Sequence, residues 1–180
     1  MKQTDKARLG AIGEHLVTAK LLQHGWDTFN ANLSIKNTKS YDLVVCTNSE
    51  STATAFVQVK TTVGKSFPVG MTIAGARNRE VLEAKIVGPW VFVYASGEAE
   101  KMQFRYFILT RAQMIRLLKE SHDWYVAQWN RGDRTINENA PAAIPLKWLQ
   151  GYGEPENAKH RAFDNPLQES SENCWDNICK

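Results

Sequence analysis

Apolar residues in the first part of the chain recur every three or four positions, which is the spacing of one helical face. The pattern predicts a helix over Asp5–Gln23, with Asp5 as its N-cap and Gly25 as its C-terminal stop. Gly10 and Gly13 lie inside this helix, where each costs about 1 kcal/mol relative to alanine. Two glycines within one turn indicate that another element packs closely against the helix.

Short runs of β-branched and aromatic residues, separated by turn residues, then predict strands. The predicted strands are Trp26–Asn30, Tyr41–Cys46, Ala53–Thr62, Trp90–Ala95 and Gln103–Leu109, and the further helices are Arg79–Val87 and Arg111–Lys119. Residues 64–78 are rich in glycine, contain Pro68 and are expected to form a loop. A helix, three strands, a crossover helix and a strand that is apolar throughout together indicate an α/β fold.

The length of 180 residues suits one domain with its own core. We expect a single domain over residues 1–180, in which residues 97–180 form an extension packed on a core of residues 1–96. Chain ends are poorly ordered unless they are tied down, so the last ~10–15 residues are expected to be flexible.

Composition and charge indicate the cellular compartment and the kinds of partner, but they do not indicate a reaction. Three cysteines are an odd number, which argues against a disulfide framework and favours a reducing cytoplasm. No apolar run approaches the roughly 20 residues of a membrane-spanning helix, so no membrane partner is expected. The net charge of +3 permits a nucleic-acid partner without requiring one.

Candidate chemistry lies on the first helix and on two neighbouring strands. Asp42 interrupts an otherwise apolar strand, and Glu14 follows Gly13 on the helix. Gln58 and Lys60 are two residues apart in a strand and therefore point to one face. The spacing from Asp42 to Gln58 suits two strands joined by a short turn, so these polar side chains are expected to converge.

These pieces resemble the PD-(D/E)xK nuclease superfamily, in particular its restriction-endonuclease-like and Holliday-junction-resolvase-like members. The matching segments are GAIGE at Gly10–Glu14, SYDL at Ser40–Leu43 and QVK at Gln58–Lys60, within residues 8–95. The resemblance implies a core of order α-β-β-β-α-β, with a mixed central sheet flanked by helices and followed by a C-terminal extension.

The resemblance also implies roles for single residues. Asp42, Glu14 and the backbone carbonyl of Val59 match ligands of a divalent metal, Mg²⁺ or Mn²⁺, which prefers oxygen donors. Lys60 matches the lysine that orients the attacking water and steadies negative charge. Gln58 stands where the family usually has Asp or Glu. Its amide oxygen can still bind metal, but one negative charge is lost and weaker metal affinity is expected.

The implied function is metal-dependent hydrolysis of DNA, and a homodimer is left open. Lys65, Arg77 and Arg79 are candidate contacts to DNA phosphates, although an ordinary solvated surface accounts for them equally well. The main alternative is a nuclease-like fold, weak or inactive in catalysis, that only binds nucleic acid or a protein partner. A third interpretation is a structural or inhibitory protein that acts through its acidic C-terminal region.

Overall fold

The computed structural model describes residues 3–31, 40–47, 53–129, 135–153 and 162–180. The helices are α1 (Gln3–Gln23), α2 (Ile73–Arg77), α3 (Arg79–Lys85), α4 (Arg111–Trp129) and α5 (Leu146–Leu149). The strands are β1 (Trp26–Asn30), β2 (Leu43–Thr47), β3 (Thr54–Thr62), β4 (Ser66–Thr72), β5 (Trp90–Ser96), β6 (Gln103–Leu109) and β7 (Pro141–Pro145). Two 3-10 turns lie at Ala99–Lys101 and Trp175–Cys179. The chain is therefore an α/β protein.

A five-stranded mixed sheet of order β1-β2-β3-β5-β6 forms the centre of the fold. Strands β1, β2 and β3 pair antiparallel, β3 and β5 pair parallel, and β5 and β6 pair antiparallel. The parallel pair needs a crossover, and β4, α2 and α3 supply it. Strand β4 pairs with β7 in a separate two-stranded sheet.

The side chains of the central strands alternate between two apolar clusters, because neighbouring strand residues point to opposite faces. Val91 and Val93 of β5 pack with Val17 of α1 on one face of the sheet. Trp90 and Phe92 point to the other face, where the second sheet and α2 to α5 cover them. Strand β5 is thus buried on both faces, as its continuous apolar sequence predicts.

The expectation of a loop over residues 64–78 is wrong, because this segment contains β4 and α2. Phe67, Val69 and Met71 are buried, whereas the residues between them are exposed, so β4 has the period of two of a strand. The glycines and Pro68 concealed that period. Strand β4 is paired on one side only, and a proline is tolerated in such an edge strand.

The bounds of α1 and α4 differ from the predicted ones. Helix α1 starts at Gln3, so Asp5 lies in its first turn and is not the N-cap. Helix α4 does not stop near Lys119 but runs to Trp129. Its buried face continues past that point through His122, a polar residue that interrupts the apolar pattern.

The C-terminal segment packs onto the side of the sheet that α1 covers. Trp175 and Ile178 lie in the same apolar cluster as Val17. Asn177 donates a hydrogen bond to the carbonyl of Ile108 on β6 at 2.9 Å. These contacts tie the last turn of the chain to the central sheet. Among the described residues, no helix is both long and apolar enough to cross a bilayer.

Candidate functional site

The candidate residues lie at the end of the sheet where β1 stops, β2 starts and β3 runs on. Asn30 of β1, Leu43 of β2 and Val57 of β3 form one row across these strands. Beyond that row, β3 continues from Gln58 to Thr62, and these residues pair with β5 instead of β2. The start of β2 is thus where the chain brings Asp42 beside the part of β3 that extends beyond β2.

Asp42 is buried, and its carboxylate is bonded to β3. Its side chain has an exposed fraction of 8%, and its backbone N–H donates to the carbonyl of Val57 at 2.8 Å. Its Oδ2 atom accepts a hydrogen bond from the backbone N–H of Val59 at 2.8 Å, and a second from Nε2 of Gln58. A buried carboxylate is costly unless it is bonded in this way. The predicted convergence of Asp42 and Gln58 is therefore confirmed.

Gln58 is the most enclosed polar residue of this group. Its exposed fraction is 5%, and its backbone N–H donates to the carbonyl of Pro89 at 3.1 Å. The loop before β5 therefore fixes the backbone of Gln58, while the side chain turns its NH₂ group toward Asp42. Val59 meets Asp42 through its N–H, whereas the resemblance assigned a role to its carbonyl.

Lys60 lies on the same face of β3 as Gln58, and it has an aromatic neighbour. Its Nζ atom is 5.7 Å from the centroid of the Trp90 ring on β5. A cation over an indole ring is attracted by the negative face of the ring. Trp90 is also the register partner of Gln58 on β5, so Trp90 is adjacent to both Gln58 and Lys60.

Glu14 reaches the same end of the sheet from the α1 side. Its Oε2 accepts a hydrogen bond from Nδ2 of Asn30 at 3.2 Å, and Asn30 lies opposite Leu43. Helix α1 comes close to β3 here, because a Cβ atom on Gly13 would lie 1.8 Å from Oγ1 of Thr61. The close packing expected from the two glycines is confirmed at Gly13.

The donor set at this site consists of oxygen atoms of the kind that Mg²⁺ binds. It contains one buried carboxylate, one amide in contact with it and a second carboxylate on α1. Within the described residues, no group of three or more His, Cys, Asp or Glu side chains could hold a metal ion. Oγ1 of Thr61 and Nε1 of Trp90 are buried without a hydrogen-bond partner in the described part of the chain. The indole N–H of Trp90 is a donor and cannot bind a cation, and Thr61 faces α1, so neither atom adds a ligand to the Asp42–Gln58 contact. The Asp42 carboxylate is therefore the one acid at this contact in the described residues, and Gln58 would have to turn its amide oxygen toward a cation before the pair could hold one.

The three predicted phosphate contacts do not join this group. Arg77 donates to Asp123 at 2.9 Å and to Glu138 at 2.5 Å, and Arg79 donates to Glu83 at 2.7 Å. The hydrogen bond to Asp123 and the charge of Glu138 raise the pKa of Arg77, although partial burial opposes the shift. A phosphate at Arg77 would therefore compete with two carboxylates.

Lys65 is exposed at the start of β4, where its carbonyl accepts the backbone N–H of Leu146 at 2.9 Å. Arg77 and Arg79 form ion pairs with carboxylates. Of the three predicted phosphate contacts, Lys65 is therefore the most accessible to a phosphate.

Sequence reasoning missed the residues that support the site. Trp90 was assigned to a buried strand, and Asn30 to the end of another, without a role for either. Both contacts depend on the strand register, which no motif encodes. The sequence signal that was available is the aromatic residue at the start of β5, but only the strand register places its ring beside Gln58 and Lys60.

Comparison of the chain with protein-family models, with curated proteins and with solved structures finds no match.

Proposed function

We propose that this protein is a metal-dependent endonuclease with a restriction-endonuclease-like core, and that it hydrolyses DNA phosphodiester bonds. The observation that carries the proposal is the contact between the buried carboxylate of Asp42 and the amide of Gln58 at the end of the sheet where β2 starts. The order of strands around this contact, antiparallel β1 to β3 followed by a parallel β5, supports the same core.

The residues at this site would have two roles, metal binding and stabilisation of negative charge. Asp42 and Gln58 would hold Mg²⁺ or Mn²⁺, and Glu14 would add a ligand from α1, directly or through water. A bound divalent ion polarises the phosphoryl oxygen and lowers the pKa of a water molecule. Lys60 places a positive charge on the same face, where negative charge develops on the phosphate. The Trp90 ring limits where the Lys60 ammonium group can lie.

A second candidate is a protein of the same fold that binds nucleic acid or a protein partner without cutting. The orientation of Gln58 favours it, because the amide gives its N–H, and not its oxygen, to Asp42. A carboxylate that already accepts two N–H bonds is stabilised without metal. This candidate predicts a folded protein with little metal affinity.

A cleavage assay tests the proposal directly. Wild type, Asp42→Asn and Lys60→Ala are incubated with supercoiled plasmid, linear single strands and a four-way junction, in Mg²⁺, in Mn²⁺ and in EDTA. Asp176→Asn is the matched control, because Asp176 is an exposed acid of the C-terminal turn. We expect cutting by wild type and by the control in metal only, with loss of at least ~10²-fold for the two site variants. Absence of cutting in every condition by well-folded wild type would support the binding protein.

Metal affinity can be measured without activity. Gln58→Glu restores the second acid of the family pattern and places two carboxylates side by side. In EDTA their repulsion should lower the melting temperature below that of wild type. Mg²⁺ should then raise it, by an amount equivalent to about 2.7 kcal/mol when its concentration is 100 times the Kd. A melting temperature of this variant that does not respond to Mg²⁺ would argue against a metal site at Asp42.

A further inference from the structure

Asn30 is the last residue of β1, and it lies on the face of the sheet that α1 covers. The exposure of β1 alternates along the strand: Trp26, Thr28 and Asn30 are half-buried, whereas the two residues between them are exposed. Asparagine is depleted in strands, because its side chain competes with the backbone for hydrogen bonds. Its presence on the inner face therefore indicates a polar contact that an apolar residue could not make.

The side chain of Asn30 contacts the candidate acid of α1. Its Nδ2 atom donates a hydrogen bond to Oε2 of Glu14 at 3.2 Å. A glutamate side chain rotates about several bonds, and it loses this freedom when its carboxylate is held. The contact therefore selects one position of the Glu14 carboxylate among those that an unrestrained glutamate adopts.

Helix α1 crosses the sheet at the start of β2, which is where Asp42 lies. Gly13 contacts β3, because a Cβ atom on it would lie 1.8 Å from Oγ1 of Thr61. The next residue, Glu14, contacts β1 through Asn30. Strand β2 lies between β1 and β3 in the sheet. Consecutive residues of α1 thus contact the strands on both sides of β2.

The end of β1 is also bonded to the segment that carries Asp42. The backbone N–H of Ala31 donates to the carbonyl of Asp42 at 2.9 Å. Asn30 itself is the register partner of Leu43, the residue after Asp42. Two neighbouring residues of β1 therefore hold the two candidate acids, Asp42 through its backbone and Glu14 through its side chain.

We propose that Asn30 is a positioning residue of the cation site, and that its amide holds the Glu14 carboxylate toward a divalent ion bound at Asp42. The inference rests on the proposed function, because it needs a divalent ion at Asp42. Carboxylates that bind a metal are themselves hydrogen-bonded by a further group, which orients them and strengthens metal binding. An ionised carboxylate has several lone pairs, so Glu14 can accept from Asn30 and still serve an ion, directly or through water.

The test measures Mn²⁺ affinity without nucleic acid, by titration followed through the electron paramagnetic resonance signal of the free ion. The proteins are wild type, Asn30→Leu, Glu14→Ala and the double variant. Asn30→Leu keeps the size of the side chain and removes its N–H groups. Thr28→Val is the matched control, because Thr28 lies on the same face of β1 and its hydroxyl donates to the carbonyl of Trp26 at 3.3 Å. Melting temperatures establish that all variants are folded.

We expect Asn30→Leu to weaken Mn²⁺ binding at least ~10-fold, the loss that is typical when a group that orients a ligand is removed. Thr28→Val should bind Mn²⁺ like wild type. If Asn30 acts through Glu14, the double variant should bind within about twofold of Glu14→Ala alone. Losses that multiply in the double variant would overturn the inference. Mn²⁺ affinity that is unchanged in Asn30→Leu, while its melting temperature falls, would make the contact a structural tie between α1 and β1.

The cleavage assay separates this inference from the proposed function. Wild type that binds no Mn²⁺ and cuts no substrate would refute both. Mn²⁺ binding and cutting that Asn30→Leu retains at wild-type levels would support the nuclease and refute the role of Asn30. Mn²⁺ binding that depends on Asn30 through Glu14, in a protein that never cuts, would support the role of Asn30 at a cation site and refute the nuclease.

Discussion

The close approach of α1 to the sheet at Gly13 leads to a prediction that contrasts two glycines of one helix. A Cβ atom on Gly10 would meet nothing within 4 Å, whereas one on Gly13 would lie 1.8 Å from Oγ1 of Thr61 and 3.0 Å from its Cβ. Both are interior positions of α1, so replacement by alanine gives the same gain in helix propensity, about 1 kcal/mol. The difference between the two variants therefore isolates the contact with Thr61.

The magnitude follows from the overlap. Real Cβ atoms essentially never approach another heavy atom within 3.0 Å, so Gly13→Ala must displace Thr61 or α1 by more than an ångström. Rotating the Thr61 side chain so that Oγ1 turns away would relieve the closest contact, but the Cβ atom and the Cγ2 position would still lie 3.0 Å and 3.2 Å from the new methyl carbon, so crowding remains. Overpacking of this kind costs about 1–3 kcal/mol. We expect Gly10→Ala to be more stable than wild type by up to ~1 kcal/mol, and Gly13→Ala to be less stable than Gly10→Ala by ~1–3 kcal/mol.

Urea denaturation followed by tryptophan fluorescence measures the free energy of unfolding of both variants. Equal m-values would show that the variants differ in stability and not in the surface exposed on unfolding. The double variant Gly13→Ala with Thr61→Ala removes Oγ1 and Cγ2, so most of the cost should disappear relative to Thr61→Ala alone. If Gly13→Ala and Gly10→Ala agree within about 0.5 kcal/mol, the accuracy expected of additive sites, the close contact is not present in solution. Persistence of the full cost in the double variant would place the strain elsewhere on α1.

Three further predictions concern the C-terminal contact and two titrating groups. Trp175→Ala should cost about 3–5 kcal/mol in urea denaturation, because Trp175 is buried against the central sheet, and a loss below 1 kcal/mol would contradict that packing. The hydrogen bond from Arg105 holds the pKa of Glu172 below its usual range, against the effect of partial burial. This stability is present above the usual pKa and is lost as pH falls through the lowered one, so wild type and Glu172→Gln should converge in stability as the pH falls below about 4.5. Burial lowers the pKa of His122, although the carbonyl of Leu118 opposes the shift. As the pH is lowered, the unfolded chain therefore takes up the proton before the folded protein does. At pH values below about 6.5, the urea concentration at the unfolding midpoint should decrease in wild type but stay constant in His122→Asn.

Most of the central sheet could be predicted because its strands carry their own signal. Strands β1 and β6 have the bounds that the pattern of β-branched and aromatic residues predicts, and β5 differs by one residue. Their β-branched and aromatic residues form short runs bounded by turn residues, which a local reading of the sequence detects. The mixed arrangement follows from the crossover between β3 and β5.

Strand β4 and the second half of α4 could not be predicted for a common reason. In both, the buried face is set by elements that are distant in the sequence. Phe67 packs edge-on against Phe92 of β5 at 5.0 Å between ring centroids, and β4 takes its hydrogen bonds from β7, almost eighty residues later. His122 is buried in α4 because its Nδ1 atom bonds to the carbonyl of Leu118 at 2.8 Å. Tertiary packing thus outweighs the local preference of β4 for a loop and that of the second half of α4 for a polar surface.

The pairing of Asp42 with Gln58 was predictable from spacing, but the direction of the Gln58 amide was not. An amide presents a donor and an acceptor of nearly equal size, and only the surrounding groups select one of them. The backbone of Val59 already donates to Asp42, and Gln58 adds a second donor to the same oxygen.

That direction sets the cost of binding a cation at this site. To offer its oxygen, Gln58 must give up a hydrogen bond to a charged group, which contributes about 1.5–3 kcal/mol. A cation bound by Asp42 and Gln58 should therefore be held roughly 10- to 150-fold more weakly than at a site where the amide oxygen already faced it. Gln58→Glu removes this competition, because a carboxylate has no N–H to donate and leaves Asp42 with the Val59 bond. The variant should gain Mg²⁺ affinity by at least tenfold over wild type if the contact is a metal site that internal hydrogen bonding weakens. If the affinity stays the same, the Asp42–Gln58 pair is a structural hydrogen bond of the sheet end, and the function lies in binding.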